Sequence, residues 1–319
     1  MLSSLAKRWF VLLLVGGVAL AWARPGWVRP WAGRPPLPAL VALALFLVAW
    51  GMEGRSLYRA AARPGAALWA LAVSYGALPA LAWLAGPLLP LPDLAVGLLI
   101  IASVPCTLAS AVLWTRLAGG NEAVALLVVL LTTGLSWLVT PLWLALTTGA
   151  RVSTDTGAMM RGLALVLLLP VGLGQLARAV PGVTGFVARH RALNGTLSRL
   201  LILTILLRAA ADLSGRTSGL TAPALLATAA VALGLHLAAL ALGLGGARAL
   251  GLPRPDGIAA AFAGSQKTLP VALFLFGAYY EARHPLAVVA VVFYPVGQLL
   301  ADTLVAEWLA GRAVAEKRC

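Results

Sequence analysis

Charge is the scarcest commodity in this chain. Asp, Glu, Lys and Arg together make up 11% of its 319 residues, where a soluble globular domain carries about a quarter, so a soluble globule is excluded. Acidic residues are rarer still, 10 against 24 Lys and Arg, for a net charge of +14. That excess does not point to nucleic acid, because the basic residues are scattered through short connections and no basic tract carries interleaved aromatics. Cysteine is nearly absent: Cys106 falls in an apolar run and Cys319 at the tail. No disulfide between them is expected, and no thiol or histidine cluster has metal-ligand spacing, so neither a metal site nor a cofactor is expected. There is no His-Glu-x-x-His, no Gly-x-Ser-x-Gly and no phosphate loop, so the sequence does not read as an enzyme.

Apolar residues fill the space that charge leaves, at 61% of the chain and a mean hydropathy of +0.94. The expected fold is an all-α polytopic membrane protein, a single transmembrane domain over 1–319 whose surroundings are the lipid bilayer. Apolar runs separated by Arg, Gly and Pro clusters fit about ten helices of roughly 20 residues. They fall near 8–23, 37–53, 65–87, 92–117, 121–147, 159–177, 197–214, 222–247, 257–280 and 286–310. The seventh is the weakest, since it contains Arg208 and Asp212. Placing both termini in the cytoplasm satisfies the positive-inside rule by roughly two to one, with an Arg-rich first outer loop (Arg24, Arg29, Arg34) as the exception; a bacterial inner membrane is the expected location. Residues 1–23 also fit a secretory signal, with Lys7-Arg8, an apolar run and Ala21-Trp22-Ala23. Retained helix and cleaved signal both stay open. Trp22, Trp27, Trp31, Trp50, Trp69, Trp83 and Trp308 sit near segment ends and read as interfacial anchors.

The fourth and ninth segments each carry a proline and a small-polar cluster at mid-length. Ser103-Val104-Pro105-Cys106-Thr107-Leu108-Ala109-Ser110 stands against Gly264-Ser265-Gln266-Lys267-Thr268-Leu269-Pro270. Sliding the chain by half its length superposes Thr107-Leu108 on Thr268-Leu269, dividing it into a first repeat, 1–150, and a second, 151–319. Five helices per half is odd, so the second half enters the membrane upside down relative to the first, an inverted repeat. Interrupted segments at matching positions of two halves point to a transporter's binding site, with helix breaks expected at Pro105, Gly264 and Pro270. Lys267 marks that site most strongly. It lies about ten residues from either end of its segment, and an ionisable group there costs roughly 3 kcal/mol unless a cavity, partner or substrate receives it.

At these residues the chain resembles the bile acid:sodium symporter superfamily. Val104-Pro105-Cys106-Thr107-Leu108-Ala109-Ser110, Gly120-Asn121 and Thr140-Pro141 are similar to the family's fourth and fifth helices, while Ser265-Gln266-Lys267-Thr268 resembles its lysine-containing branch. The resemblance implies ten helices in an inverted repeat, unwound fourth and ninth helices that cross, and a carrier of organic anions working by alternating access. It also implies losses. The symporters' sodium-binding Glu falls on Ala261, an Asn on Ala111, and two hydroxyl ligands on Ala125 and Val129, leaving only Ser110 of the oxygen cage. Sodium coupling is therefore doubtful. Lys267 is expected to stand in for the cation, either as a fixed ammonium that attracts an organic anion or as a group that carries a coupling proton, so Na+ and H+ both remain open.

The candidate substrate- and ion-binding residues are Lys267, Gln266, Ser265, Thr268, Cys106, Thr107, Ser110, Thr133, Ser136, Gln298 and Asp302. Thr132, Ser136 and Thr140 share one face of the fifth helix, and Tyr294, Gln298 and Asp302 share one face of the last. Asp302 is the expected acidic partner of Lys267. Asn121 and Glu122 read as a helix start, and His236 as a histidine hydrogen-bonded across helices. The alternative to a carrier is a non-transporting regulatory or scaffolding membrane protein with the same fold. Oligomeric state has no signature here.

Overall fold

The computed structural model describes residues 9–52, 61, 64–148, 155–180 and 182–316. Of the basic residues on which the topology expectation draws, Lys7, Arg8, Arg55, Arg59, Arg63, Lys317 and Arg318 on the inside and Arg151 on the outside lie outside them, as does Cys319. Everything regular among the described residues is helical: α1 Trp9–Ala23, α2 Pro25–Ala32, α3 Leu37–Gly51, α4 Gly65–Leu88, α5 Pro92–Ser103, α6 Ser110–Leu117, α7 Glu122–Thr148, α8 Thr156–Ala179, α9 Val183–Arg189, α10 Arg191–Arg216, α11 Ala222–Ala249, α12 Arg254–Ser265, α13 Leu269–Leu275 and α14 Ala287–Glu316. Among the described residues six helices are long and apolar enough to cross a membrane, or seven if α2 and α3, bent by 76°, count as one span. The expected segments 8–23, 92–117 and 197–214 are not among these spans; α1 is short and the fourth segment is divided.

The chain divides into two compact units, each drawing on both halves of the sequence: 1–52 with 165–220, and 53–164 with 221–319. In the first, α3 packs on α8 and α10, and carbonyls of its last turns accept from side chains. Asn194 donates to the Leu47 oxygen at 2.9 Å, Arg178 to the Trp50 oxygen at 3.0 Å, and Gln175 to the Ala49 oxygen. The charges that weakened the seventh segment are used in the same way. Arg208 donates to the Pro35 oxygen at 2.8 Å, while Arg29 reaches the Ala211 oxygen at 3.0 Å and lies 3.8 Å from Asp212. One arginine of the exceptional loop thus has a helix to hold.

In the second unit α5 ends at Ser103 and α6 begins at Ser110; α12 ends at Ser265 and α13 begins at Leu269. The breaks are therefore 104–109, containing Pro105, and 266–268. Gly264 and Pro270 flank the second break instead of forming it. Pro270 sits in the first turn of α13, where a missing N–H costs nothing. Gly264 is needed for close approach: a Cβ there would come 3.3 Å from the Ala70 oxygen and the Val73 side chain. Each broken helix is also tied at its start to the loop that follows the other. Asp93 in α5 lies 2.9 Å from His284 Nδ1 and accepts from the Leu286 amide at 3.1 Å. Asp256 in α12 accepts from Asn121 Nδ2 at 2.7 Å, and the Asn121 amide donates to the Pro255 oxygen at 2.9 Å. Trp27, Trp31, Trp83 and Trp308 are exposed, as anchors would be, but Trp69 is turned inward to donate to the Gly243 oxygen at 3.1 Å.

Candidate functional site at the helix crossing

The two breaks touch. The Thr268 amide donates to the Pro105 oxygen at 3.1 Å, so two buried stretches of non-helical backbone satisfy each other. A third helix joins them. The Cys106 amide meets Thr132 Oγ1 of α7 at 3.3 Å, and Thr140 Oγ1 of the same helix donates to the Ser103 oxygen at 2.7 Å. From α14, Gln298 Oε1 accepts from the Lys267 amide at 2.8 Å.

Lys267 is completely buried. Its Nζ donates to the Ser74 oxygen at 2.7 Å, to Ser74 Oγ at 3.0 Å and to the Val104 oxygen at 2.9 Å, and lies 5.1 Å from the centroid of the Tyr75 ring. An ammonium has three protons, and each has an acceptor. Ser74 can offer its carbonyl because Ala72–Ala77 is a π-helical stretch of α4, a local widening common at functional sites. Val104 can because it lies in a break. Among the described residues no carboxylate is within ion-pair distance of this ammonium.

Asp302, the partner expected for Lys267, is engaged elsewhere. Its Oδ1 lies 2.9 Å from His236 Nε2 on α11, and its Oδ2 accepts from Gln266 Nε2 at 2.6 Å. The helical register explains this: Gln298, one turn earlier on α14, faces the Lys267 backbone and leaves the carboxylate a turn away. Gln266 Oε1 in turn accepts from Thr107 Oγ1 at 2.6 Å and Ser110 Oγ at 2.8 Å. His236 Nδ1 lies 3.5 Å from the Tyr294 hydroxyl, which donates to the Ser265 oxygen at 2.7 Å. His236, Asp302, Gln266 and Ser265 are all buried, whereas Thr107 and Ser110 are half-buried.

The crossing thus brings together Lys267, Gln266, Ser265, Thr268, Cys106, Thr107, Ser110, Gln298 and Asp302. It does not bring in Thr133 or Ser136. Ser136 donates to the Thr133 carbonyl of its own helix at 2.7 Å, and Thr133 Oγ1 has no hydrogen-bond partner among the described residues; Thr132 and Thr140 are the hydroxyls of α7 that reach the breaks. Asn121 caps α7, its Oδ1 accepting from the Ala123 amide at 3.1 Å. Sequence reasoning missed Ser74 and Tyr75, although Ser74-Tyr75-Gly76 is a polar interruption in an apolar segment. It left His236 off the list because a single histidine carries no partner in its spacing. The Val104 carbonyl has no sequence signal at all. Ala261, where the resemblance places a sodium-binding Glu, lies in an apolar cluster with Ala118, Leu240, Ile258, Phe262, Ala306 and Leu309.

Two broken helices crossed around an intramembrane ammonium define a class, the helical membrane proteins built on discontinuous helices. Comparison places the chain within that class: it belongs to the SBF-like CPA transporter family, whose profile matches residues 8–311. The resemblance to the bile acid:sodium symporter superfamily is thereby shown. An Arabidopsis thaliana protein named probable sodium/metabolite cotransporter BASS4, chloroplastic, is 31% identical over 232 residues, covering 68% of this chain and 53% of that protein. Sodium/bile acid cotransporter 7 of Danio rerio is 25% identical over 225 residues, covering 68% and 66%. The uncharacterized protein YbaS of Bacillus subtilis (strain 168) is 32% identical over 165 residues, 51% of each chain. The chain spans about half the length of the plant relatives it matches.

Proposed function

We propose that this protein is a secondary carrier that moves a small organic anion across a bilayer by alternating access, with Lys267 as a built-in cation in place of bound sodium. The observation that carries this reading is the surrounding of Lys267 Nζ by two backbone carbonyls and a hydroxyl, at 2.7, 2.9 and 3.0 Å. Neutral oxygens converging on a point are what a hard cation takes as ligands, and here a tethered ammonium already fills the point. A second cation placed beside it would meet Coulomb repulsion. The apolar cluster around Ala261 supports the same conclusion, since Leu240, Ile258 and Phe262 pack where an ordinary sodium site would hold a carboxylate. The positive charge at the crossing favours an anionic cargo, and the relatives' names, which refer to metabolite and bile acid cotransport, agree with an organic solute.

Ten membrane crossings arranged as two inverted five-helix halves, 1–150 and 151–319, belong to this proposal. Its support is the reciprocal tying of the two broken helices, Asp93 to the loop after α13 and Asp256 to the loop after α6.

Uptake of radiolabelled carboxylates, from acetate to taurocholate, into liposomes containing the full chain tests the function. Flux that ignores a sodium gradient and is lost in Lys267→Ala is expected. No flux of any of these anions, with the protein folded and inserted in both orientations, would contradict the carrier and favour a non-transporting scaffold.

A further inference from the structure

The hydrogen bonds around Gln266 fix the direction of an amide that could point either way. Asp302 as a carboxylate only accepts hydrogen bonds, and its Oδ2 lies 2.6 Å from the Gln266 amide nitrogen. The NH2 group must therefore face Asp302, and Oε1 must face Thr107 and Ser110 at 2.6 and 2.8 Å. The two hydroxyls also contact each other at 2.5 Å. With both hydroxyl protons donated to Oε1, the contact between the two hydroxyls carries none, and no proton points outward. In this state the half-buried end of the network offers acceptors only.

We propose that Asp302, paired with His236, is the protonation site of the crossing, and that Gln266 converts its protonation into an anion-binding state of the Thr107 and Ser110 hydroxyls. A proton taken from solvent adds to Asp302 Oδ2, while Oδ1 keeps its bond from His236 Nε2. The new O–H can only donate along the Gln266 contact, so the amide turns half a revolution and presents Oε1 to Asp302. Its two N–H protons now face the oxygens of Thr107 and Ser110. Those hydroxyls no longer have a carbonyl to donate to, and at least one proton is released to point outward, toward a carboxylate oxygen of a ligand. Losing the proton from Asp302 reverses each step. The titratable groups facing Asp302 are His236 from α11, Tyr294 on its own helix and Cys106 from the first break; Asp93, Arg116 and Arg248 on the neighbouring helices lie toward helix ends. Lys267 does not take up this role, because its three protons are committed to Ser74 and Val104.

This rests on the carrier reading for its purpose, since it couples one proton to one anion at the same crossing, yet it can be tested without flux. Acid-minus-neutral infrared difference spectra of the purified full chain in lipid nanodiscs are expected to show a protonated-carboxyl band appearing together with a shift of a glutamine side-chain amide band. Asp302→Asn should lose both. Gln266→Met should keep the carboxyl band and lose the amide change, which keeps the test decisive if Asp302→Asn does not fold. Benzoate, the anion used as probe, should move the wild-type carboxyl titration to higher pH, because binding of anion and proton is reciprocal, and should have no such effect in Gln266→Met. The proposal is overturned by a carboxyl band that survives in Asp302→Asn, by carboxyl titration with an unmoved amide, by no titration at all, or by a titration that benzoate leaves in place. Flux absent with the full spectral response intact would instead sink the carrier reading alone.

Discussion

The ammonium nitrogen of Lys267 lies 2.7 Å from the carbonyl oxygen of Ser74, a residue nearly two hundred positions earlier in the chain. The charge least expected in an apolar segment is thus held by backbone that a π-helical turn and a helix break have left free. Replacing it with an apolar side chain of similar reach leaves two buried carbonyls and a hydroxyl without a donor, at about 1–3 kcal/mol for each orphaned group, partly offset by no longer burying a charge. Lys267→Met is predicted to lower the unfolding free energy by about 1–3 kcal/mol in total, read as a lower melting temperature in detergent.

His236 and Asp302 form a fully buried pair at 2.9 Å. Removing one partner strands the other, a loss of about 3–5 kcal/mol for a buried charge. His236→Leu alone and Asp302→Leu alone should each be severely destabilised, and the double variant should be less so than the sum of the two. Additive losses in that cycle would mean that the two side chains do not act as a pair.

Gly97 has no room for a side chain, since a Cβ there would lie 2.0 Å from the Ala287 oxygen at the start of α14. That oxygen belongs to backbone and cannot turn aside. Gly97→Ala should therefore cost about 1–3 kcal/mol as an overpacking change, while Gly134→Ala, with open space around its α-carbon, should cost far less. Equal melting temperatures for the two variants would contradict the packing of α5 on α14.

Much of this site was legible in the sequence because its signals are chemical rarities. An intramembrane lysine, a Pro-containing polar cluster repeated half a chain later, and Asp302 on one face with Gln298 each stand out against an apolar background. What was not legible is pairing. Helical register decides that Gln298, not Asp302, meets the Lys267 backbone, and a one-turn difference of that kind is set by how α14 packs, which no local pattern encodes. The same holds for α7, where Thr132 and Thr140 reach the breaks while Thr133 and Ser136 do not. Gly264 and Pro270 were legible as special but not in their roles, because close helix approach and a helix first turn leave the same letters in the sequence as a break does.

Ala261 tests the reading of the lost sodium site. Restoring a glutamate there places a carboxylate among Leu240, Ile258 and Phe262, where an unpaired charge is strongly unfavourable. Ala261→Glu is predicted to fold poorly and to gain no stabilisation from sodium. A well-folded, sodium-stabilised Ala261→Glu would show that a cation cage survives around that position.

The central claim is that Lys267 fills a cation position, and the most direct measurement is thermal unfolding of the purified wild type and Lys267→Ala in sodium against choline at equal ionic strength, since a ligand that binds the folded state raises its stability. The account predicts a wild type indifferent to sodium and a Lys267→Ala variant that sodium stabilises, as the Ser74 and Val104 carbonyls receive the ion in place of the ammonium. A wild type stabilised by sodium and a variant that has lost that response would contradict it.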